Sequence, residues 1–388
     1  MLIKNAKIFT MEDETQIDGC IRIENGLIAA VGCEPATDEQ VIDAQGGWVL
    51  PGLVDAHTHL GLFEDSIGFE GEDGNEDTDP ITPQLRVIDA INPFERSFAE
   101  ALHAGVTSCL VSPGSANPIA GQIAAIKTYG RRIDDMIMKA PCAMKFALGE
   151  NPKSCYHDKD ETPVTRMATA ALIREALYQA AEYGRKTRNA EEDSDLPDYD
   201  IKHEALQPVL DRRIQAHFHA HRTDDIFTAL RIAKEFALDA VILHGTEAYL
   251  VADLLKDEPG IRVVNGPFMT DRSKPELAGL TEQAPAILTE AGIPTSISTD
   301  HPETPLKYLK NCALTAVQNG MDPMAALRAI TIVPARIAGI DSRVGSIKAG
   351  KDADLVIFTG DPFDYKTKIR AVIAGGHLID IGGSYEKH

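Results

Sequence analysis

Apolar runs alternate with amphipathic stretches through residues 51–340, which predicts an α/β chain built on a (β/α)8 barrel of the TIM type. A second observation supports this: His, Asp and Glu side chains stand at the ends of several of those runs, where such barrels keep their chemistry. Strand-like sequence at both termini adds a third element. Neither end has enough strands to bury a face alone, so together they are expected to form one small β-sandwich. The expected division is 1–50 with 341–388 for the sandwich and 51–340 for the barrel.

At the N-terminus, strands are expected over 2–9, 20–24, 27–32 and 40–43, with Asn25-Gly26 supplying the positive φ angles of a tight hairpin. The C-terminal counterparts are 344–347, 353–358 and 369–373. The first barrel strand leads through Val49-Leu50-Pro51-Gly52-Leu53-Val54-Asp55 to His57 and His59. A helix over 93–104 and strands over 106–111 and 143–148 follow, with 123–138 read as a hairpin and linker. A long helix is expected over 164–185 and a mobile polar loop over 186–199. Strands 214–218, 240–243, 261–264 and 295–298 come next, with a helix over 224–236 and a helical tail over 306–340. Seven barrel strands are thus legible, with one weak, and any distortion is placed at the fourth unit.

Strand geometry sends alternate side chains to one face, so His57 and His59 point the same way and can share one cation. The candidate partners each end their own run: Glu150, then His217, His219 and His221, then His244, then Asp300 with His301 behind it. Asp300 could instead cap a helix, but Pro302 and Pro305 delay any helix there. Imidazole and carboxylate ligands without sulfur suit Zn²⁺, with Mn²⁺, Fe²⁺ or Co²⁺ as alternatives.

The series Pro-Gly-x-x-Asp-x-His-x-His, His-Ala-His, His-Gly and Ser-Thr-Asp resembles the metal-dependent amidohydrolase superfamily, nearest its imidazolonepropionase-like branch. The match runs almost end to end and keeps its order. The resemblance implies the β-sandwich as partner domain, one or two divalent ions, and His57, His59, His219, His244 and Asp300 as ligands. It implies that His221 contacts substrate, whereas His217, one pleat earlier, reads as a packed barrel histidine. Relatives bridge two ions with a carboxylated lysine on the fourth strand or a glutamate on the third. Lys145 lies inside an apolar strand and Glu150 at its end; that strand reads as the third, so Glu150 is the expected ligand and Lys145 the alternative. The implied activity is hydrolysis of a C–N bond through activated water, with Asp300 as general base and then acid and His221 as oxyanion stabiliser. Arg222 and Lys153 are candidate anchors for a substrate carboxylate. The rivals are a single-metal deaminase, against which His219-Ala220-His221-Arg222 departs from the usual His-x-x-Glu, and a metal-free structural relative. Homo-oligomers are expected from the resemblance alone.

A formal charge of −21 argues against nucleic acid and anionic membranes as partners and leaves a small molecule as the expected one. Six scattered cysteines (20, 33, 109, 142, 155 and 312), with no export-like leader or long apolar span, fit reduced thiols in a cytoplasmic protein. The acidic stretch 63–80 does not have EF-hand spacing and reads as a solvated loop over the barrel mouth.

Overall fold

The structure, a computed structural model, describes residues 1–12, 16–32, 40–65 and 67–381. Cys33, Ser66 and residues 382–388 of the C-terminal segment lie outside these residues. Five strands open the chain: β1 (Leu2–Phe9), β2 (Gln16–Glu24), β3 (Leu27–Val31), β4 (Val41–Asp43) and β5 (Trp48–Pro51). Eight follow in the middle: β6 (Leu53–Thr58), β7 (Val106–Val111), β8 (Ile119–Lys127), β9 (Ile137–Ala147), β10 (Gln215–Ala220), β11 (Ala240–His244), β12 (Val263–Asn265) and β13 (Thr295–Ile297). The chain closes with β14 (Leu355–Phe358), β15 (Ile369–Ala374) and β16 (His377–Ile379).

The terminal strands form one sheet in the order β16-β15-β14-β5-β1-β2-β3, with β4 beside β1. Their alternation explains both of its faces. Ile3, Ile8, Val49, Leu355, Ile357 and Ile373 point into the sheet's own core. Leu50, Val356, Phe358 and Val372 point the other way, onto Leu327 and Ile332 of the barrel's last helices. Each such side chain contributes about 1.5–3 kcal/mol on burial, so this second face welds the small domain to the barrel. The segment 344–347 is not a strand; it runs as an irregular connection, with Ile347 packed into the small core.

The second sheet runs β6 to β13 in chain order and forms the barrel. Its outer face carries Phe146, Phe218, Ile242 and Val263 against helix residues such as Ile173, Leu177 and Ile226, with the two phenyl rings stacked at 4.8 Å. Two sequence expectations change here. Residues 119–127 form a full strand, antiparallel to both β7 and β9, so part of the expected hairpin and linker belongs to the barrel wall. Almost every residue of β8 is buried, so no polar alternation marks it as a strand. As a result β9 is the fourth strand of the sheet, and Lys145 lies on a fourth strand rather than a third.

Helix Arg166–Asn189 continues past the expected end, and Ile201–Leu210 forms a further helix capped by Asp200. The expected helical tail is three short helices, Leu309–Gln318, Pro323–Ala329 and Ile332–Ala338.

Asp55 closes the barrel. Its Oδ2 accepts hydrogen bonds from the Thr299 amide (2.8 Å) and hydroxyl (2.7 Å), and its Oδ1 accepts from the His57 amide (3.0 Å). Ser298 Oγ donates to the His57 carbonyl at 2.7 Å, so the first and last strands are tied at their functional ends. Burial pushes the Asp55 carboxyl up to about 6, against the pull of these donors. Asp55→Ala orphans buried donors and is expected to cost about 3 kcal/mol; the denaturant midpoint measures it, and an unchanged midpoint would mean that the latch contributes nothing.

Candidate metal centre

The C-terminal ends of β6, β10, β11 and β13 converge on one point. His57 Nε2 lies 3.2 Å and His59 Nε2 3.3 Å from Asp300 Oδ1. Ligands of one tetrahedral ion, each bonded at about 2.0–2.1 Å, stand about 3.4 Å apart, so each histidine already stands at ligand spacing from the carboxylate. His219, His221 and His244 form a second group whose nitrogens lie within 4.8 Å of one another, and His57, His244 and Asp300 meet the same limit. Ring centroids in the first of these groups are 4.4–4.7 Å apart.

Neighbouring carbonyls set the tautomers. The ring N–H at Nδ1 of His59 donates to the Ser112 carbonyl (2.7 Å), and that of His244 donates to the Gly266 carbonyl (2.8 Å). In both rings the Nε2 lone pair is left for a ligand bond. Burial, with Lys145 adding to it, holds the His57 imidazole well below its usual pKa; burial likewise lowers His219 and His221, and takes His244 to about 4. All four are neutral donors near pH 7. Burial works against ionised Asp300, yet the surrounding imidazoles, His244 foremost and then His57 and His59, outweigh it and hold the carboxyl well below the ordinary range. His244 (φ 68°) and Asp300 (φ 52°) both adopt the left-handed backbone region that non-glycine residues avoid. Such strain costs about 1–3 kcal/mol and persists where the surroundings over-determine it, often at functional sites.

A divalent ion passes the test of fit. His57 Nε2, His219 Nε2, His221 Nε2, His244 Nε2, Asp300 Oδ1 and Lys145 Nζ are all buried without a hydrogen-bond partner. Six orphaned polar atoms in one place would be expensive unless something satisfies them. Lys145 is fully buried on β9, and burial, partly opposed by Asp300, brings its ammonium down to about 7.

The other sequence candidates are placed differently. Glu150 begins the helix Glu150–His157 and is bonded reciprocally to Glu276: its amide donates to Glu276 Oε2 (2.9 Å), and its own Oε2 accepts from the Glu276 amide (3.3 Å). It is not among the converging ligand atoms. His217 pairs with Lys145 across β9 and β10, one layer below His219, and its Nε2 contacts Gln215 Oε1 at 3.1 Å. Arg222 points outward in a two-pronged pair with Asp224 (3.0 Å each), and neither it nor Lys153 lines the site cavity. His301 accepts at Nδ1 from the Leu306 amide and braces the loop after β13. The acidic loop supplies Phe63 and Asn75 to the cavity wall, while Asp77 and Asp79 pair with Lys159 (2.8 Å) and Lys202 (2.5 Å).

Sequence reading missed Glu276 and Lys274. Glu276 is almost fully buried, with Oε1 2.9 Å from Lys274 Nζ, 3.5 Å from His221 Nε2 and 3.7 Å from His219 Nε2. Both residues lie well past the end of β12, Lys274 capping and Glu276 within the single 3-10 turn Pro275–Leu277, so no periodicity points to them. Gly149 makes room for Glu276: at φ +87° a Cβ would meet Glu276 Oε2 at 2.7 Å. Above these groups lies a cavity of about 410 Å³ bounded by His59, Asn151, His221, Lys274 and Asp300 among others. Among the described residues, no helix is long and apolar enough to cross a membrane.

The chain is similar to several known proteins. An amidohydrolase of Hapsidospora irregularis, tasK, is 30% identical over 93% of this chain and 41% of its own length. An adenine deaminase of Listeria monocytogenes is 24% identical over 98% of this chain and 57% of its own, so the chain spans about half the length of these relatives. An imidazolonepropionase of Rhizobium meliloti is 26% identical over 93% of this chain and 91% of its own. The crystal structure of an amidohydrolase from Thermotoga maritima MSB8 superposes with a TM-score of 0.94 at 40% identity, covering 97% of this chain and 99% of that one. Residues 48–379 match the model of the Amidohydrolase family, and the chain belongs to that family.

Proposed function

We propose that this protein hydrolyses a C–N bond in a small amide, cyclic amide or peptide-like molecule, using two divalent ions, zinc foremost. The observation that carries the reading is the convergence of His57 and His59, each with Nε2 within 3.3 Å of Asp300 Oδ1, beside the buried, unpartnered atoms of His219, His244 and Lys145. His57, His59 and Asp300 would hold one ion and His219 and His244 the other. Lys145, carboxylated on Nζ, would bridge them in place of Glu150. Its position on the fourth strand, its lack of a partner and a pKa near 7 that leaves much of the amine unprotonated support this choice. When bound, the ions would polarise the substrate carbonyl and lower the pKa of water from about 15.7 towards about 7.

The chain's own residues supply the proton handling. Asp300, lining the cavity, accepts the proton of the attacking water and passes it to the leaving nitrogen. Thr246 Oγ1 lies 2.7 Å from His221 Nδ1. With that hydroxyl donating, Nε2–H of His221 is a donor for the developing oxyanion. We also propose the division of the chain into a barrel of residues 51–340 and a small domain of 1–50 with 341–388.

Metal content on protein purified without chelator tests the reading. Two equivalents per chain are expected, with amide hydrolysis abolished by chelation and restored by zinc. One equivalent would move the assignment to a single-metal deaminase. Failure to take up zinc or manganese would favour a non-catalytic relative.

A further inference from the structure

Lys274 is the single lysine or arginine among the described residues that line the site cavity. Its ammonium is fixed there rather than solvated: Nζ is 2.9 Å from Glu276 Oε1 and donates to Asn151 Oδ1 at 2.8 Å. Asn151 in turn donates from Nδ2 to Ser115 Oγ at 2.6 Å, and Asn151 and Ser115 both face the cavity. Glu276 is itself anchored by the Glu150 amide at 2.9 Å. A rigid polar chain, Glu276–Lys274–Asn151–Ser115, therefore runs from the His219/His221 pair along the cavity wall.

An ammonium has three donors; one goes to Asn151 and the ion pair with Glu276 occupies at most one more, which leaves a third for a ligand. A lysine serving only to neutralise Glu276 would not need to face the cavity. The Lys274 side chain is 26% exposed, whereas Glu276 is 1% exposed, so the carboxylate is screened from the cavity and the cation presented to it. We propose that Lys274 is the specificity-determining residue that binds a substrate carboxylate with its third N–H, Asn151 and Ser115 completing the subsite. This deepens the hydrolase reading and rests on it for the word substrate.

The charge balance selects the ligand class. Asp300 and Glu303 share the cavity, and Glu276 stands behind the lysine. A lone point charge in that company suits a monoanionic carboxylate; a dianionic phosphate calls for more cationic or backbone donors than this wall provides. The substrate is then a small C–N compound with a free carboxylate, such as an N-acyl amino acid.

The test compares N-acetyl-amino acids with their carboxamides on metal-loaded protein, reading binding calorimetrically on the Asp300→Asn variant and turnover on the wild type. One charge-assisted hydrogen bond predicts acids favoured by at least about 10-fold. In Lys274→Met that preference should fall to within about 2-fold, and Lys274→Arg should restore most of it. Because Lys274→Met leaves Glu276 buried and unpaired, Lys274→Met with Glu276→Gln is the companion variant should the single one fold poorly. Equal affinity for acids and carboxamides, no binding of any acid in the panel, or a preference that survives loss of the lysine would each overturn the anchor. If acids bind preferentially through Lys274 but neither series is cleaved, the anchor stands and the hydrolase reading fails. If both series are cleaved equally well, the hydrolase stands and the anchor falls.

Discussion

Asp300→Asn is expected to lower kcat for C–N hydrolysis by about 10²–10⁴-fold, the range over which a positioned general base contributes. The amide is isosteric and keeps an oxygen in the place of Oδ1, 3.2 Å and 3.3 Å from the two histidine nitrogens, so a ligand atom remains. What the variant loses is the capacity to take a proton. Metal content should therefore stay close to that of the wild type while turnover collapses. The measurement is steady-state kinetics on a cleaved amide alongside metal analysis of the same preparation. Full turnover in the variant would remove Asp300 from the proton path. Loss of metal together with turnover would leave it a ligand without a demonstrated proton role.

Lys145→Met should act in opposite directions on activity and on stability. Removing even an outer partner of a metal ligand costs about 10–100-fold in affinity or activity, so losing a bridging ligand should cost more than about 100-fold in turnover. Metal content should fall from two equivalents to one. In metal-free protein, however, the same change replaces a fully buried, unpartnered amine with an apolar side chain of similar length. Exchanging buried charge for well-packed apolar groups often stabilises by about 1–4 kcal/mol, and a gain near the lower end of that range is expected. Denaturant midpoints after chelation would show it. Glu150→Gln is the control, because its carboxylate is committed to the Glu276 amide. If Glu150→Gln loses the second ion and Lys145→Met keeps it, the bridging assignment reverses.

The two residues show how a small error in counting strands moves a chemical assignment. In sequence, β9 follows only one clear strand after the His57 strand, so Lys145 and Glu150 are counted onto a third strand. The antiparallel β8 between β7 and β9 shifts that count by one. Its residues, Ile119-Ala120-Gly121-Gln122-Ile123-Ala124-Ala125-Ile126-Lys127, are buried on both faces. A strand with both faces buried lacks the alternation by which strands are recognised.

By itself the sequence determined the barrel and its partner domain, together with the histidines and aspartate at the barrel mouth. These features depend on local rules: period-two burial in strands, paired histidines on one face, and a polar residue ending an apolar run. Only the tertiary structure decided which cation meets the cavity. Arg222 and Lys153 lie near the histidine and glutamate motifs in sequence, yet Arg222 turns outward to the neighbouring Asp224 and Lys153 lies off the cavity. Lys274, distant from every motif, is brought in by hydrogen bonds that span more than a hundred residues, to Asn151 and through Glu276 to Glu150. A local pattern can fix the end of a strand, but the pairing of loops across the barrel mouth depends on closure of the whole sheet, which no stretch of sequence encodes alone.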